Sequence, residues 1–341
     1  PIRYFNLGHG FKNKGDGSMR IGVVGTGSIV SWFMKAARLV DDVEFTAVYS
    51  RRQNTGEVFA KENNLQKVYT NYEEMLKDDA LDAIYIASPN SLHYEHALKA
   101  LNHHKHVLVE KPFTGNVDKA KEIIELAQEK DLILMEAICN VHMPHMDYIQ
   151  KRLPELGKLK IVQANFSQYS SRYNALKNDE VMNVFDPAMS GGSLADINIY
   201  NLHFTMYLFG VPKAIDYKAN LYKNGIDTSG ILTLDYGDFK AVLVGAKDSF
   251  SYNLVQIQGE DGYILVPSSS STLDSVVFET HETRRDVDNQ DKPNLYYQVE
   301  TFKELINHKD YTRRDELLEH SLNVVKVAVE ARKQIGLDFD Y

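Results

Sequence analysis

Arg20-Ile21-Gly22-Val23-Val24-Gly25-Thr26-Gly27-Ser28-Ile29-Val30 is the stretch on which the fold turns. An apolar, β-branched run ends in a closely spaced glycine pair. A helical pattern follows at once, with Ile29, Phe33, Ala36, Ala37 and Val40 recurring at three-to-four spacing. Strand, glycine turn and helix form the setting that a dinucleotide fingerprint needs. Gly25 would make the tight turn. Gly27 has no side chain, so a pyrophosphate could approach its backbone. The helix N-terminus, from Ser28 and Ile29 onward, would offer the phosphates free N–H groups and a positive dipole end. The third glycine position holds Val30, a departure from the full pattern, and a glycine pair after a strand also serves as a plain turn.

Working outward, residues 43–50 read as a second buried strand. Its end is where such a fold meets the adenosine ribose. A carboxylate there suits the 2′-hydroxyl of NAD, whereas a nearby arginine suits the 2′-phosphate of NADP. This chain has Ser50-Arg51-Arg52 and no strand-end carboxylate. That favours NADP, or dual use, over strict NAD; a solvated arginine pair opening the next helix is the plainer alternative. Apolar strands at 81–87, 106–109 and 132–135 then alternate with helices at 72–76, 93–101 and 117–128. Alternation of this kind means βαβ units, a parallel sheet and chemistry at the carboxyl ends of the strands. Ser50, Ser88-Pro89-Asn90 and Glu110-Lys111-Pro112 all fall at such ends.

From about residue 138 the character changes. A helix at 144–153 precedes long alternating strands at 159–169, 214–221, 230–236, 240–247 and 255–258. Tight turns such as Tyr236-Gly237-Asp238 join them, which predicts an antiparallel sheet with one covered face. Helices return at 296–306 and 315–335. The expected fold is α/β. A Rossmann domain spans 19–137. A C-terminal α+β domain spans 138–341, with a large, mostly antiparallel open sheet for substrate binding and oligomerisation, and its terminal helices pack back on the first domain. Residues 1–18 lack periodicity and are read as a non-native leader.

Composition narrows the function. A length of 341 residues suits two domains. A net charge of −9 without a basic run argues against nucleic acid or an anionic membrane as partner. No apolar stretch is long enough to span a bilayer. Cys139 is the single cysteine, so no disulfide framework or cysteine metal cluster forms, and a reducing cytoplasm fits. No histidine and carboxylate spacing marks a metal site.

Two places carry candidate chemistry. Lys111 follows an apolar strand, between Glu110 and Pro112. A lysine in a partly desolvated cleft can move protons near neutrality. Pro112 fixes the backbone, and the bond before it is a candidate for the cis form. The same triplet is also a common surface turn. The second place is the helix at 191–203, with Ser193 as N-cap and Asp196 as its partner three residues on. Asp196, Tyr200, His203 and Tyr207 form one polar stripe on an otherwise apolar helix. A buried stripe must find partners or line a cavity.

Together these stretches closely resemble the Gfo/Idh/MocA oxidoreductase family, over essentially all of residues 19–341. The resemblance rests on Gly25-Thr26-Gly27, Ala87-Ser88-Pro89-Asn90 with His93, Lys105 through Pro112, and the helix at 191–203. It implies an NAD(P)-dependent dehydrogenase or reductase acting on a CH–OH group of a sugar, polyol or related small molecule. It carries the catalytic lysine onto Lys111 and the Asp…Tyr pair onto Asp196 and Tyr200. Ser88, Pro89, Asn90, His93, Glu110 and Lys111 would join the glycine turn and Ser50, Arg51 and Arg52 around the cofactor. Asn140, Arg172 and His203 are candidates for touching substrate. Tyrosine at 200 is similar to the glucose–fructose oxidoreductase and dihydrodiol dehydrogenase branches. Asn198 stands where many members have glycine, and Val141 where the dihydrodiol branch carries arginine, so the substrate stays open. The expected reaction passes hydride between nicotinamide C4 and a substrate carbon, with Tyr200 or Lys111 exchanging the hydroxyl proton and no metal. A homodimer or homotetramer is expected. A non-catalytic NAD(P)-binding regulator and an NAD-dependent glycosidase are the alternatives; intact Lys111 and Tyr200 argue against the first.

Overall fold

The structure, a computed structural model, describes residues 17–288 and 290–339, so residues 1–16 of the expected leader lie outside the described residues. Strands β1 (Met19–Val24), β2 (Val43–Tyr49), β3 (Lys67–Tyr69), β4 (Ala83–Ile86), β5 (His106–Glu110) and β6 (Leu134–Ala137) form the first sheet. Their order is β3-β2-β1-β4-β5-β6 and every neighbouring pair is parallel. Helices α1 (Ser28–Ala37), α2 (Gln53–Glu62), α3 (Tyr72–Leu76), α4 (His93–Asn102) and α5 (Val117–Glu129) connect them. The strand order reverses between β1 and β4, and open α/β sheets bind ligands at that switch point.

These strands read as unbroken apolar runs because both faces are covered. Ile21, Val23, Tyr85 and Leu108 face one core, and Val24, Ile84, Ile86, Val107 and Val109 the other. On α1 the helical period buries Val30, Phe33, Met34, Ala36 and Ala37. Phe33 stacks on Tyr85 with ring centres 3.7 Å apart. Strand β6 starts two residues later than the sequence pattern predicts. Leu132 N–H closes the end of α5 on Ala127 O (2.9 Å), which keeps that residue in the turn.

The second sheet is built from β7 (Leu159–Ser167), β8 (Ala214–Leu221), β9 (Asp227–Asp235), β10 (Lys240–Ala246), β11 (Leu254–Gly259), β12 (Gly262–Val266), β13 (Val276–Thr280) and β14 (Arg284–Val287). Its order is β14-β13-β12-β11-β7-β10-β9-β8, with β7 and β10 parallel and the other neighbours antiparallel. The last three strands are short, and the serine-rich loop between β12 and β13 hides their alternation. Helices α6 (Pro144–Arg152), α7 (Tyr173–Lys177), α8 (Ile199–Phe209), α9 (Tyr296–His308) and α10 (Tyr311–Gln334) complete the chain. Val162, Ala164, Leu232, Ala241, Leu243 and Ile257 pack with Leu202 and Met206 of α8 in one core. The opposite face leaves Ile161 and Ile231 exposed.

The terminal helices return to the first sheet. Phe302 and Leu305 of α9 and Leu317 of α10 join its core. Arg314 Nη1 donates to Leu132 O at 2.9 Å. Among the described residues, no helix is long and apolar enough to cross a membrane.

Candidate active site

Lys111 directly follows β5, at the carboxyl edge of the first sheet. Its bond to Pro112 is cis. Glu136 of β6 fixes the turn by accepting a hydrogen bond from Phe113 N–H (2.8 Å). The Lys111 ammonium points at the start of α8, donating to Asp196 O (2.8 Å) and Asp196 Oδ1 (2.9 Å). It also lies 5.1 Å from the centre of the Tyr200 ring. Asp196 sits in a π-helical turn, Leu194–Asn198, that leads into α8. Such turns are rare and recur at functional sites.

The helix start differs from the sequence expectation. Ser193 is already helical (φ −66, ψ −38), and its hydroxyl makes no capping bond. Asp227 of β9 serves instead, accepting from Leu194 N–H through Oδ2 (2.7 Å). Burial pushes the Asp227 carboxyl up to about 6, against the pull of that N–H and of the Tyr217 hydroxyl.

A second lysine enters from the other sheet. Lys247 directly follows β10, and its ammonium bonds Asp196 Oδ2. Both carboxylate oxygens of Asp196 are therefore held by lysines. The sequence carries one trace of this. Lys247 continues the inward register of Ala241, Leu243 and Gly245, a charge where the pattern demands an apolar residue.

Burial opposes the charge on Asp196, but Lys111 and Lys247 outweigh it and hold the carboxyl well below the usual carboxylate range. Burial likewise opposes the Lys111 charge, and Asp196 and Glu110 outweigh it, raising the ammonium above the ordinary lysine value. Burial raises the Tyr200 hydroxyl well above its usual value. The Glu110 carboxyl is pushed up to about 7 by burial, although Tyr85 donates to it at 2.6 Å. In this state Lys111 and Tyr200 both keep their protons at neutrality.

The glycine turn has the form that an anion needs. Gly25 has φ +113, and a Cβ there would stand 2.6 Å from Ala87 O. Gly27 opens α1, and a Cβ on it would meet nothing within 4 Å. Helix α1 has no side-chain cap and no acidic residue in its first turn. Uncapped amides beside open space, with no competing carboxylate, fit a dinucleotide pyrophosphate on Gly25, Thr26, Gly27, Ser28 and Ile29.

At the end of β2, the Ser50 hydroxyl donates to Arg52 O (3.0 Å) while Arg51 and Arg52 stand exposed. His93 links two loops, with Nδ1 2.9 Å from Pro112 O and Nε2 3.0 Å from Ser88 O. Burial lowers its pKa, so the neutral ring can donate to one of these carbonyls at a time. The Asn90 amide reaches across to Ser190 O (2.9 Å).

The three candidate substrate contacts separate in space. Asn140 is fully buried; its amide donates to Tyr200 O (2.9 Å), and its Oδ1 has no hydrogen-bond partner among the described residues. Arg172 is exposed at the start of α7. His203 is fully buried below Tyr200, with Nδ1 3.0 Å from His320 Nε2 of α10. Its Nε2 lies 3.4 Å from Glu136 Oε1 without hydrogen-bond alignment. Tyr207 receives Arg313 Nη2 at 2.9 Å. The polar stripe thus divides: Asp196 and Tyr200 meet Lys111, and His203 and Tyr207 run into the contact with α10. Asn198 is held inside by bonds to Leu243 O (3.2 Å) and Asn201 (2.8 Å). It fits because residue 245 is glycine; a Cβ there would stand 2.5 Å from that of Asn198.

Residues 19–138 match the GFO_IDH_MocA family, described as an oxidoreductase family with an NAD-binding Rossmann fold. Residues 153–265 match the GFO/IDH/MocA C-terminal domain. Over 322 residues the chain is 38% identical to scyllo-inositol 2-dehydrogenase (NADP(+)) IolU of Bacillus subtilis (strain 168), covering 94% of this chain and 98% of that protein. It is 31% identical over 252 residues to trans-1,2-dihydrobenzene-1,2-diol dehydrogenase of Sus scrofa, covering 72% and 73% of the two chains. The crystal structure of KijD10, a 3-ketoreductase from Actinomadura kijaniata, in complex with NADP and TDP-benzene, superposes with a TM-score of 0.83 at 22% identity. It covers 93% of this chain and 98% of that one, a likeness of fold.

Proposed function

We propose a reaction for a chain that belongs to the Gfo/Idh/MocA oxidoreductase family and is an NAD(P)-dependent dehydrogenase or reductase acting on CH–OH groups of sugar- or polyol-like molecules. In our reading it interconverts a ring secondary alcohol and its ketone on an inositol-like polyol or a sugar, with NADP preferred. The observation that carries this is the Lys111–Asp196–Tyr200 cluster at the carboxyl edge of the parallel sheet. The 38% likeness to an NADP-dependent inositol dehydrogenase supports the substrate class.

Bound nicotinamide supplies or accepts the hydride. The chain does the rest. The α1 amides hold the pyrophosphate, and Ser50, Arg51 and Arg52 receive the adenosine end, where two guanidinium groups suit a 2′-phosphate. Ser88, Pro89, Asn90, His93 and Glu110 shape the nicotinamide side. The Lys111 ammonium donates to the substrate oxygen and stabilises the negative charge that develops on it. Tyr200 stands beside it, its hydroxyl a second donor. Asp196 does not serve as a free base, because lysines occupy both its oxygens; it aims Lys111. Both donors being protonated, the site as built is poised to protonate an oxygen, the requirement of ketone reduction. Asn140, fully buried, braces α8 through the Tyr200 carbonyl rather than touching substrate. Arg172 is an outer contact, and buried His203 supports α8 behind Tyr200.

We assign residues 19–137 to cofactor binding and 138–341 to substrate binding and assembly. The exposed face around Ile161 and Ile231 supports a homodimer or homotetramer, and we assign the protein to the cytoplasm on its single cysteine. The test is a panel of inositols, sugars and other polyols with NADP or NAD, read at the nicotinamide absorbance. Sustained turnover with an inositol or sugar and NADP is expected. No cofactor turnover with any of them would overturn the reading. Glycoside cleavage without net cofactor change would point to a glycosidase.

A further inference from the structure

Lys247 belongs to none of the motifs that mark this site, yet it is its second buried cation. Its backbone is fixed on both sides: its N–H donates to Thr228 O (2.9 Å), and Ser170 N–H donates to its carbonyl (2.9 Å). Its side chain is 8% exposed, against 12% for Lys111. A buried ammonium requires a counter-charge, and for Lys247 this is Asp196 Oδ2. Asp196 is thus a single negative charge spanned by two positive ones, each on its own oxygen.

We propose that Lys247 is a positioning residue that sets how firmly Lys111 holds its proton, by dividing the charge of Asp196 between two ammonium groups. The proposal rests on the role given to Lys111 above. The argument is electrostatic. A carboxylate serving one ammonium lends it the whole of its attraction. With a second ammonium on the far oxygen, the nearby like charge offsets part of it. Lys111 must release its proton to accept one from an alcohol, so the division sets the pH at which oxidation begins.

Of the other groups facing the pair, Glu110 also bears on this balance, and both substitutions at Lys247 leave it in place. Glu110 faces Lys111 from the end of β5 and is tied to Tyr85 (2.6 Å). Cys139 faces it as a thiol pushed up to about 12 by burial, hence neutral. His93 of α4 is held neutral by burial, and Tyr200 presents its ring face. Asp248, next to Lys247, is occupied by the hydroxyls of Thr228 (2.8 Å) and Ser229 (2.9 Å).

Lys247→Met keeps the length of the side chain and removes the charge, and Lys247→Arg keeps the charge. The first readout is the pH profile of kcat/KM for alcohol oxidation. In Lys247→Met its ascending limb should move up by about one pH unit, the low end of a neighbouring-charge effect. Oxidation at pH 7 then slows about tenfold, while Lys247→Arg keeps the limb in place. The second readout needs no substrate. Acetic anhydride labels the free amine, so the pH of half-labelling of Lys111, followed by peptide mass spectrometry, should rise by the same amount in Lys247→Met. A folded Lys247→Met protein with an unmoved labelling midpoint would overturn the proposal. Equal losses in both variants with an unmoved pH limb would also overturn it, leaving a packing role. A shifted labelling midpoint in a protein that turns over no polyol or sugar would uphold the charge division and sink the proposed substrate class instead.

Discussion

Replacing Asp196 with asparagine removes the charge that Lys111 and Lys247 share, and the structure sets the scale of the loss. The two ammonium groups are 12% and 8% exposed and would be left with neutral amide partners. Breaking a buried pair by deleting one member costs about 3–5 kcal/mol. Asp196 keeps a third of its side chain exposed (34%), so solvent screening brings the expectation to the low end, about 3 kcal/mol. Lys111 retains its bond to the Asp196 carbonyl, which asparagine preserves. The pH dependence has a definite sign. The folded-state pKa of Asp196 is depressed, so its contribution is present above the ordinary carboxylate value near 4 and fades as pH falls through the folded value. Urea unfolding of wild type and Asp196→Asn at pH 7 should differ by about 3 kcal/mol, and the gap should shrink only below about pH 4. Adding Lys247→Met to Asp196→Asn should recover part of the loss, because one unpaired ammonium disappears with it. A difference below about 0.5 kcal/mol at pH 7 would mean that the lysines do not depend on this carboxylate. The bridging role of Asp196 would then be wrong.

Lys111→Ala should cut turnover by roughly 10²–10⁴, the usual range for losing one acid/base group. Lys111→Arg should not rescue it, because arginine cannot give up its proton. Cofactor affinity should change far less, read by quenching of Trp32, the sole tryptophan, which is exposed on α1 one turn from Ser28; turnover within a factor of about two of wild type would refute the assignment. Ser50→Asp should move cofactor preference toward NAD by repelling a 2′-phosphate, and a wild type already binding NAD at least about tenfold tighter than NADP would count against the arginine reading. Burial raises the Glu110 carboxyl to about 7, so its stabilising contribution is complete near pH 4 and lost as pH rises to about 7. Glu110→Gln should therefore lose less stability than wild type between pH 5 and 7.5 in urea titrations; parallel slopes would contradict this. Light scattering across micromolar concentrations should show a dimer or tetramer, and a monomer throughout would refute assembly on the open sheet face.

The first sheet was legible because its signals are local. Each parallel strand is a short apolar run, each helix repeats at three-to-four spacing, and the glycine turn joins one to the next within a dozen residues. The antiparallel strands before residue 259 also showed their alternation. The features that escaped are those made across distance. Asp227 caps the helix start from 33 residues away, so the nearer Ser193 looked like the cap. Lys247 reaches Asp196 across 51 residues, and its trace was a charge in an inward register. The polar stripe of α8 was visible, but the division between site and core at His203 depends on His320, which lies 117 residues further on.

The same distances explain how the site is assembled. Lys111 comes from the carboxyl end of β5, Lys247 from the carboxyl end of β10, and Asp196 from the π turn leading into α8. Neither lysine can be buried and charged here without Asp196, since an ion at this depth with no counter-charge would neutralise or go unpaired. Lys111 is therefore held in a compact charged cluster only where the two sheets meet. That seam also separates two kinds of recognition. In the proposed reading the cofactor's phosphates and ribose would be read by α1 and the end of β2, wholly within the first sheet's loops. In the proposed reaction the alcohol would lie against Lys111 and Tyr200, near the segments following β7 and β10, where Arg172 and Lys247 stand. On that reading, changes in those latter segments should alter what is oxidised or reduced while leaving the cofactor cradle untouched. A charge placed beside Lys247 is the exception, because through Asp196 it would reach the proton that Lys111 holds.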